Sequence, residues 1–379
     1  MQGGVRKRGS TWYYYFDLGK IDGKRKKIER KGGNTKKEAE AALRKALREY
    51  ENCGSIVNES SISTSDYLDY WYKEYVLINC KYNTQLNYKR IIANHIKPIL
   101  GIYKLKSLTP ATLQEFLNKK YINGFSKNTL SGFYGVLSGA LRMAVYPYKL
   151  IKENPMQYVT MPKYNQIKKD KDDLKVITLE QFNKIINRFP QGSSFYIPLQ
   201  IAFNTGMRAS EVCGLTWDCI DFKKKTIKVE KIIIKKEREW VFGTPKTKSS
   251  NRSILIGKTL VNILKHHKKH KIKNKLQYGK YYTDSNFVCT KENGQLVSTD
   301  SLKYLSRVVN YELGITFNFH SLRHTHATML LESGANIKDI QHRLGHSQLS
   351  TTMDTYSHIT DKLKQDSVDK FESIISTIK

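Results

Sequence analysis

The segment that decides the fold is His320-Ser321-Leu322-Arg323-His324-Thr325-His326, which gathers three imidazoles and a guanidinium within seven residues. If this segment is helical, His320 and Arg323 lie one turn apart on the same face and can converge on a single phosphate. Three histidines so close together also suggest a metal site. However, no carboxylate or cysteine stands at ligand spacing, and the sequence has no His-Glu-x-x-His motif, so we expect no metal here.

A second short segment, Leu344-Gly345-His346, ends a predicted helix over Ile337–Leu344. Glycine is favoured just past a helix C-terminus, so Gly345 is expected to end the helix and leave His346 on the following turn. Tyr356 lies ten residues beyond His346. Most of the 24 tyrosines must serve packing, so only this neighbourhood singles out Tyr356.

A third segment lies upstream, Asn204-Thr205-Gly206-Met207-Arg208-Ala209-Ser210-Glu211. Gly206 permits a sharp turn, Arg208 then begins a helix, and Glu211 follows one turn later. A guanidinium in that position can hold a phosphate through two parallel hydrogen bonds. An Arg–Glu pair one turn apart is also an ordinary helix salt bridge, and taken alone the segment favours that plainer interpretation.

A fourth segment, Thr244-Pro245-Lys246-Thr247-Lys248-Ser249, is predicted to be the loop between strand-like residues 226–234 and 253–256. A lysine on a flexible turn can reach into a DNA groove and donate a proton to a leaving oxygen. The commoner alternative is a plain turn lysine.

The composition indicates a polyanionic partner. The 379 residues, 39% of them hydrophobic, are enough for two or three packed domains, and their formal net charge is +31. Such an excess of positive charge points to nucleic acid or to a membrane surface. No apolar run approaches the length of a membrane span, so nucleic acid is the leading partner.

One stretch concentrates this charge. No acidic residue occurs from Trp240 to Tyr282, and the predicted helix over 260–275 carries six lysines. A run without counter-charges is better placed against phosphates than on an ordinary solvated face.

Cysteine usage and the N-terminus both predict a cytoplasmic location. The cysteines are odd in number and form no Cys-x-x-Cys pair, which is typical of reduced thiols: Cys53, Cys80, Cys213, Cys219 and Cys289. Residues 1–16 lack the apolar core and small-residue cleavage site of a secretory signal.

The chain falls into compositional zones with different predicted structures. Residues 1–56 hold fifteen basic and seven acidic residues and predict strands at 12–18 and 24–30, then a helix from Thr35, whose spacing to Glu38 fits a capping box. Such a basic sheet could lie in the DNA major groove, and the plainer alternative is a small domain with solvated charges.

Residues 62–160 are predicted to be helical, with Tyr67, Leu68, Trp71, Tyr72 and Tyr75 forming a buried stripe. Residues 161–175 read as a polar linker. A further capping box at Thr178 begins the last zone, residues 176–379.

Taken together, Arg208, Lys246, the His320-x-x-Arg323 pair, Leu344-Gly345-His346 and Tyr356 stand in the order and rough spacing of the tyrosine recombinases. The chain resembles the phage and conjugative-transposon integrases of that family. The resemblance implies a multidomain α+β fold: a small basic three-stranded sheet plus helix (1–56, binding arm-type DNA), a helical core-binding domain (62–160), a linker (161–175) and a mostly helical catalytic domain with a small antiparallel sheet (176–379).

The resemblance also implies a mechanism. Tyr356 attacks a DNA phosphate and forms a 3′-phosphotyrosyl link, and Lys246 protonates the departing 5′ oxygen. The remaining groups surround the phosphate: Arg208 and Arg323 hold its non-bridging oxygens, and His320 and His346 donate hydrogen bonds and transfer protons. Glu211 is expected to orient its neighbours. Lys248 lies two residues from Lys246, so only the family's pattern selects between them.

No cofactor and no metal is expected. Two arginines supply the charge that magnesium supplies elsewhere, and a covalent link conserves the energy of the broken bond, so no ATP is needed.

The implied partners are double-stranded DNA with core-type and arm-type attachment sites, three further protomers in a homo-tetramer, an excision helper and a DNA-bending protein. The C-terminal residues carry an apolar stripe at helical spacing: Val368, Phe371, Ile374, Ile375 and Ile378. By resemblance this tail exchanges between protomers, and the alternative is that it docks on its own domain.

Two other functions remain open on the sequence alone. A non-enzymatic helix-turn-helix regulator, with residues 337–358 as the motif, explains the charge but leaves Arg208, Lys246 and His320 without a role. A type IB topoisomerase-like enzyme shares the nucleophile chemistry, and the separate basic N-terminal zone favours integration over it.

Overall fold

The computed structural model of the chain describes residues 3–21, 24–53, 62–164, 176–245 and 248–348, with positions 368, 371, 372, 375 and 376. The chain divides into two compact units, Met1–Asn165 and Gln166–Lys379, and each is described by itself. Residues 165–175 of the predicted linker, Lys246 and Tyr356 lie outside the described residues. The predicted domain boundaries therefore stay predictions.

The first unit begins with an antiparallel sheet of β1 (Gly3–Arg8), β2 (Thr11–Ile21) and β3 (Lys24–Gly33), followed by helix α1 (Lys36–Cys53). Alternation along β2 buries Tyr14 and Phe16, which form a small core together with Ala46 of α1. The capping box before α1 is confirmed, because the Glu38 amide donates to Thr35 Oγ1 and the Thr35 amide to a Glu38 carboxylate oxygen, each over 3.3 Å.

The rest of this unit is helical, as predicted. Two π-helical turns, Tyr72–Val76 and Ile92–Ile96, each join one of its helices directly to the next. The helices are α2 (Thr64–Trp71), α3 (Leu77–Asn79), α4 (Tyr82–Ile91), α5 (Lys97–Leu100), α6 (Pro110–Ile122) and α7 (Lys127–Val145).

The predicted aromatic stripe forms part of this helical core. Tyr67, Leu68 and Trp71 are fully buried, while Tyr72 and Tyr75 pack against the same cluster half-exposed. The stripe is thus core, as its helical spacing indicated.

The second unit consists of helices around two small sheets. Its helices are α8 (Leu179–Arg188), α9 (Tyr196–Thr205), α10 (Ala209–Cys213), α11 (Lys258–Tyr278), α12 (Thr299–Glu312), α13 (Ser321–Glu332) and α14 (Ile337–Leu344). Its strands are β4 (Ile220–Asp221), β5 (Thr226–Val229), β6 (Ile232–Lys236), β7 (Glu239–Gly243) and β8 (Arg252–Leu255). The capping box at Thr178 is confirmed at the start of α8.

The prediction of a single strand over residues 226–234 is wrong in one respect. This segment forms two strands in different sheets: β5 pairs with β4 and β8, whereas β6 forms a hairpin with β7. The polar pair Glu230 and Lys231 separates them, since their side chains bond to Lys228 and Asp218 at the protein surface. Lys246 consequently follows β7, a strand that the sequence did not predict, and precedes β8.

The predicted lysine-rich helix is α11, and two of its six lysines already have hydrogen-bond or ion-pair partners in the protein. Lys271 donates to the carbonyl oxygens of Ser285 and Phe287, over 3.3 and 2.7 Å, and Lys275 pairs with Asp284. The other four are exposed at the surface: Lys265, Lys268, Lys269 and Lys273.

The described helices include none that is both long and apolar enough to cross a membrane.

Candidate active site in the C-terminal unit

Four of the predicted site residues lie at three helix ends in the second unit. Arg208 is the N-cap of α10, His320 is the N-cap of α13 with Arg323 in the first turn, and His346 follows the Gly345 C-cap of α14. Helix ends leave backbone groups unpaired, so side chains and ligands commonly gather there.

Gly206 makes the turn that brings α9 close to α13 and α14. Its backbone is left-handed, with φ of 65°, where residues with a side chain are strained. A Cβ atom there would lie 2.7 Å from Leu344 Cδ2 and 2.9 Å from His326 Cδ2. Glycine is therefore required both for the turn and for the close approach.

Arg323 is buried, with only 2% of its surface exposed. Its Nη1 donates to the Gly206 carbonyl oxygen over 2.8 Å, and its Nη2 donates to the Leu344 carbonyl oxygen over 2.7 Å. These contacts hold the guanidinium in one orientation between the end of α9 and the end of α14.

Three successive carbonyl groups at the end of α14 each accept a hydrogen bond from a different arginine. Arg343 O accepts from Arg252 Nε over 2.6 Å, Leu344 O from Arg323 Nη2 over 2.7 Å, and Gly345 O from Arg208 Nη2 over a long 3.4 Å. The last carbonyls of a helix lack helical partners and carry the negative end of its dipole. This helix end therefore gathers three cations around one point.

Arg208 is the most accessible of these arginines. A third of its side-chain surface is exposed, and its Nη1 donates to Glu211 Oε1 over 2.8 Å. The plain helix salt bridge suggested by the sequence therefore exists. Because the Gly345 contact is long, the guanidinium is anchored mainly on the Glu211 side.

Glu211 is a buried carboxylate shared by two arginines. Arg252 Nη2 lies 3.0 Å from its Oε2, and both side chains are at most 2% exposed. Burial alone would raise the pKa of Glu211, but the charges and hydrogen bonds of Arg252 and Arg208 outweigh it, and the pKa lies below its ordinary value. Glu211 thus stays ionised and fixes its neighbours, as expected of an orienting residue.

The two histidines share a strongly cationic environment. Burial, followed by the charges of Arg323 and Arg208, lowers the pKa of His346 to about 4. Partial burial of its ring, the neighbouring His324 and the same two arginines lower the pKa of His320 to about 4. Geometry agrees with these shared effects: His320 and Arg323 lie in one turn of α13, and His346 follows Leu344 and Gly345, whose carbonyl groups accept from Arg323 and Arg208. Both imidazoles are neutral at neutral pH.

The third histidine of the segment, His326, has partners of its own. His326 is directed away from the site, since its Nδ1 lies 2.8 Å from the Phe203 carbonyl oxygen and its Nε2 accepts from Arg343 Nε over 2.8 Å. Both ring nitrogens are therefore occupied.

One other group of potential ligands occurs among the described residues, namely Asp218, Cys219 and Glu230. Lys231 Nζ lies 3.0 Å from Asp218, and Lys228 Nζ lies 2.6 Å from Glu230. These lysines already neutralise the carboxylates, so we interpret the group as a surface ion-pair cluster.

Sequence reasoning missed Arg252 and Arg343, which support the site from β8 and α14. A signal for Arg252 was present: alternation along β8 assigns Arg252 and Ile254 to the buried face, and a charged residue at such a position needs a buried partner. Of the predicted site residues, Lys246 and Tyr356 lie outside the described part of the chain.

Comparison with known proteins identifies the chain. The model of the phage integrase family matches residues 173–362, half of the chain. The chain belongs to the phage integrase family. An N-terminal SAM-like domain of phage integrases matches residues 64–121, and an arm DNA-binding domain matches residues 5–50.

Curated relatives extend this likeness over most of the length. The chain is 29% identical to a "Tyrosine recombinase XerC-like" protein of Caldanaerobacter subterraneus subsp. tengcongensis, covering 90% of both chains. It is 27% identical to the ICEBs1 integrase of Bacillus subtilis, covering 79% of this chain and 80% of that one.

Solved structures share the fold. The integrase of the Tn1549 transposon, solved in complex with transposon right-end DNA, superposes with a TM-score of 0.64 at 22% identity, covering 82% of this chain and 99% of that one. A lambda integrase dimer bound to a core site superposes with a TM-score of 0.56 at 19% identity, covering 78% and 95%. The expected multidomain α+β fold is confirmed.

Family membership decides between the functions left open by the sequence. The phage integrases are tyrosine recombinases, so this chain is an enzyme that exchanges DNA strands. The non-enzymatic regulator is thereby excluded.

Proposed function

We propose that Arg208, His320, Arg323 and His346 form the phosphate-binding side of the recombinase active site, and that Lys246 and Tyr356 complete it. The observation that carries this proposal is the convergence of two arginines and two histidines at the end of α14. A phosphate in transfer needs positive charge and hydrogen-bond donors around its non-bridging oxygens, and this arrangement supplies both.

In the proposed reaction, the Tyr356 phenolic oxygen attacks the scissile phosphorus. The bond from phosphorus to the 5′ oxygen breaks, the Lys246 ammonium protonates that oxygen, and a 3′-phosphotyrosyl link with a free 5′-hydroxyl results. Attack by the 5′-hydroxyl of a new strand reverses these steps and releases Tyr356. The energy of the phosphodiester is retained throughout, so the exchange needs no nucleotide cofactor.

Arg208 and Arg323 would hold the two non-bridging oxygens. Arg323 is rigid because two carbonyl groups fix it, whereas Arg208 keeps exposed surface toward which DNA can approach. The low pKa of His320 and His346 keeps both imidazoles neutral before DNA binds, so each ring has one nitrogen that can accept and one N–H that can donate. The negative charge of the bound phosphate would raise both pKa values and make either ring a better acceptor of the phenol proton.

Each zone of the chain would contact double-stranded DNA differently. Residues 1–56 would bind arm-type sites, residues 62–160 would bind the core site together with the catalytic domain, and residues 161–175 would link the two. The match of residues 5–50 to an arm DNA-binding domain supports the first assignment. The Tn1549 integrase, whose structure in complex with transposon DNA matches 82% of this chain, supports the others.

The proposed working assembly is a homo-tetramer on paired sites in the cytoplasm, with the C-terminal tail exchanged between protomers. Lambda integrase has been solved as a tetramer bound to a Holliday junction, which supports this assembly. An excision helper and a DNA-bending protein would control the direction of exchange, with the element's own ends as substrate.

A nicked DNA containing a candidate element end tests the proposal. After attack the short strand beyond the nick diffuses away, so the covalent complex accumulates and can be digested for peptide mapping. We expect the nucleotide on Tyr356, and no complex that survives denaturation with Tyr356→Phe at unchanged DNA affinity. A nucleotide on another residue would remove Tyr356 from this role. Relaxation of plasmids without an attachment site would indicate topoisomerase behaviour instead.

A further inference from the structure

Arg252 has no role in the proposed reaction, yet its guanidinium is among the most completely bonded groups in the second unit. Only 1% of its side chain is exposed. Its Nε donates to the Arg343 carbonyl oxygen, its Nη1 to the Ser250 carbonyl oxygen over 3.0 Å, and its Nη2 to Glu211 over 3.0 Å. Counting both bonds to Glu211, four of its five N–H groups already donate to protein acceptors, so Arg252 has almost nothing left to offer a phosphate.

A buried ion pair is a costly way to stabilise a fold, because desolvation of both charges offsets much of their attraction. An apolar pair of similar size often serves stability equally well. The Arg252–Glu211 pair therefore calls for a role that apolar side chains cannot fill. Here the carboxylate has a second partner, since Glu211 also accepts from Arg208.

Both contacts that orient Arg208 depend on Arg252. The first is Glu211, whose carboxylate Arg252 grips with both terminal nitrogens, over 3.3 and 3.0 Å. The second is the Gly345 carbonyl group, which lies two residues beyond the Arg343 carbonyl group held by Arg252. Arg252 also packs tightly beneath this turn, because a Cβ on Gly345 would lie 3.0 Å from its Nη1.

We propose that Arg252 is a positioning residue for Arg208. It sets the Glu211 carboxylate and the end of α14 so that the Arg208 guanidinium is oriented before the phosphate arrives. Pre-set orientation matters because a displacement of about 1 Å in an active site can cost on the order of 100-fold in rate. This inference rests on the proposed phosphate-binding role of Arg208.

A different role would follow from the position of Arg252 in the chain. Arg252 begins β8, a few residues after Lys246, and its contact with Ser250 could shape the lysine loop instead. The two roles differ in which step fails: one weakens the hold on the phosphate oxygens, and the other weakens protonation of the leaving oxygen.

A double-mutant cycle separates these roles. Single-turnover cleavage of the nicked DNA is measured for Arg252→Met, Arg208→Ala and the double variant. We expect roughly a 100-fold loss for Arg252→Met with DNA affinity within about threefold of the parent protein. The double variant should cleave no more than about threefold slower than Arg208→Ala, because Arg252 has nothing left to position. Fully additive losses would overturn the inference.

A sulfur-substituted DNA gives a second, independent readout. When sulfur replaces the bridging 5′ oxygen, the leaving group needs no proton, so Lys246→Ala should recover its rate. Arg252→Met should not recover, and its recovery would assign Arg252 to the lysine loop and refute the proposal. Failure of the parent protein to form any covalent complex would instead refute the proposed function.

Two further variants control for folding. Leu305→Ala removes a fully buried side chain of α12 and should lower stability without slowing cleavage below its unfolding temperature. Arg252→Lys keeps the buried charge but loses the two-pronged grip on Glu211, and we expect roughly a tenfold loss. If Arg252→Met does not fold, the same cycle is run with Arg252→Lys, and full activity of that variant would contradict the inference.

Discussion

Arg323 and Leu344 are joined by a 2.7 Å hydrogen bond from the guanidinium Nη2 to the last carbonyl group of α14. The bond connects the start of α13 with the end of α14, and the Nη1 contact to Gly206 adds the end of α9. One buried side chain thus holds three helix ends in fixed positions relative to one another. Any change at Arg323 should therefore affect both the geometry of the site and the stability of the unit.

Arg323→Ala should lose cleavage far more than DNA affinity. Removing one pre-set donor to a developing charge typically costs about 100- to 1000-fold in rate, whereas one phosphate contact among many adds little to affinity. Single-turnover cleavage and gel-shift titration, both below the unfolding temperature of the variant, measure the two effects. Equal losses in rate and affinity would mark Arg323 as a binding residue only.

Gly206→Ala should destabilise the second unit by about 2–4 kcal/mol, from backbone strain together with overpacking against Leu344 and His326. Gly334 offers a matched control, since it is also left-handed (φ of 80°) but a Cβ there meets nothing within 4 Å. Gly334→Ala should therefore lose only the strain component, about 1–2 kcal/mol. Urea unfolding of both variants tests this, and equal losses would show that close approach at Gly206 is unimportant.

Much of this site could be predicted from the sequence, because its residues stand at helix ends that carry local signals. Gly206 and Gly345 mark C-terminal caps, and both adopt the left-handed conformation that such positions favour. The spacing of His320 and Arg323 required only that one helix begin there. These features depend on a few neighbouring residues and can therefore be predicted without knowledge of the fold.

The supporting contacts could not be predicted in the same way, because they join residues far apart in sequence. Glu211 and Arg252 are 41 residues apart, and Arg252 and Arg343 are 91 apart. The pairing of β5 with β8 is likewise long-range, since Val229 faces Arg252 across the two strands, and strand propensity does not decide it. Because such partners lie far apart in the chain, no periodic pattern in the sequence connects them.

Acid should weaken the second unit through His326. Burial first, and then the charge of Arg343, lowers the pKa of His326 to about 4, whereas an unfolded histidine titrates near 6.5. The stability it contributes is complete above about pH 6.5 and is lost as the pH falls toward 4, because the unfolded chain binds the proton first.

At pH 5 this loss should reach about 2 kcal/mol relative to pH 7. Urea unfolding at the two pH values, for the parent protein and for His326→Gln, measures it. The variant lacks the titrating ring and should show a smaller difference between the two pH values. The same pH dependence in both proteins would mean that His326 does not carry the effect.

Substitutions of the two loop lysines should have clearly different effects on the rate of cleavage. Lys246→Ala is expected to slow cleavage by about 100-fold or more, the usual contribution of a general acid, and Lys248→Ala by less than about fivefold. A bridging sulfur at the scissile position should restore Lys246→Ala alone. Restoration of Lys248→Ala instead would transfer the role of acid to Lys248.

The C-terminal stripe gives the last prediction. Val368, Phe371 and Ile375 are its members among the described residues, and 53%, 61% and 45% of their surfaces are exposed. Apolar side chains exposed in a row favour docking on a partner over docking on the same domain.

Deleting the residues after Asp366 should therefore abolish assembly on paired sites and spare binding to a single site. Phe371→Asp is the matched point variant, since it places a charge in the stripe without shortening the chain. Sedimentation of the protein on DNA with one or two sites distinguishes the outcomes. Loss of single-site binding would show that the tail stabilises its own domain. Intact assembly of the deletion variant would rule out exchange, because no part of the stripe would remain to bridge the protomers.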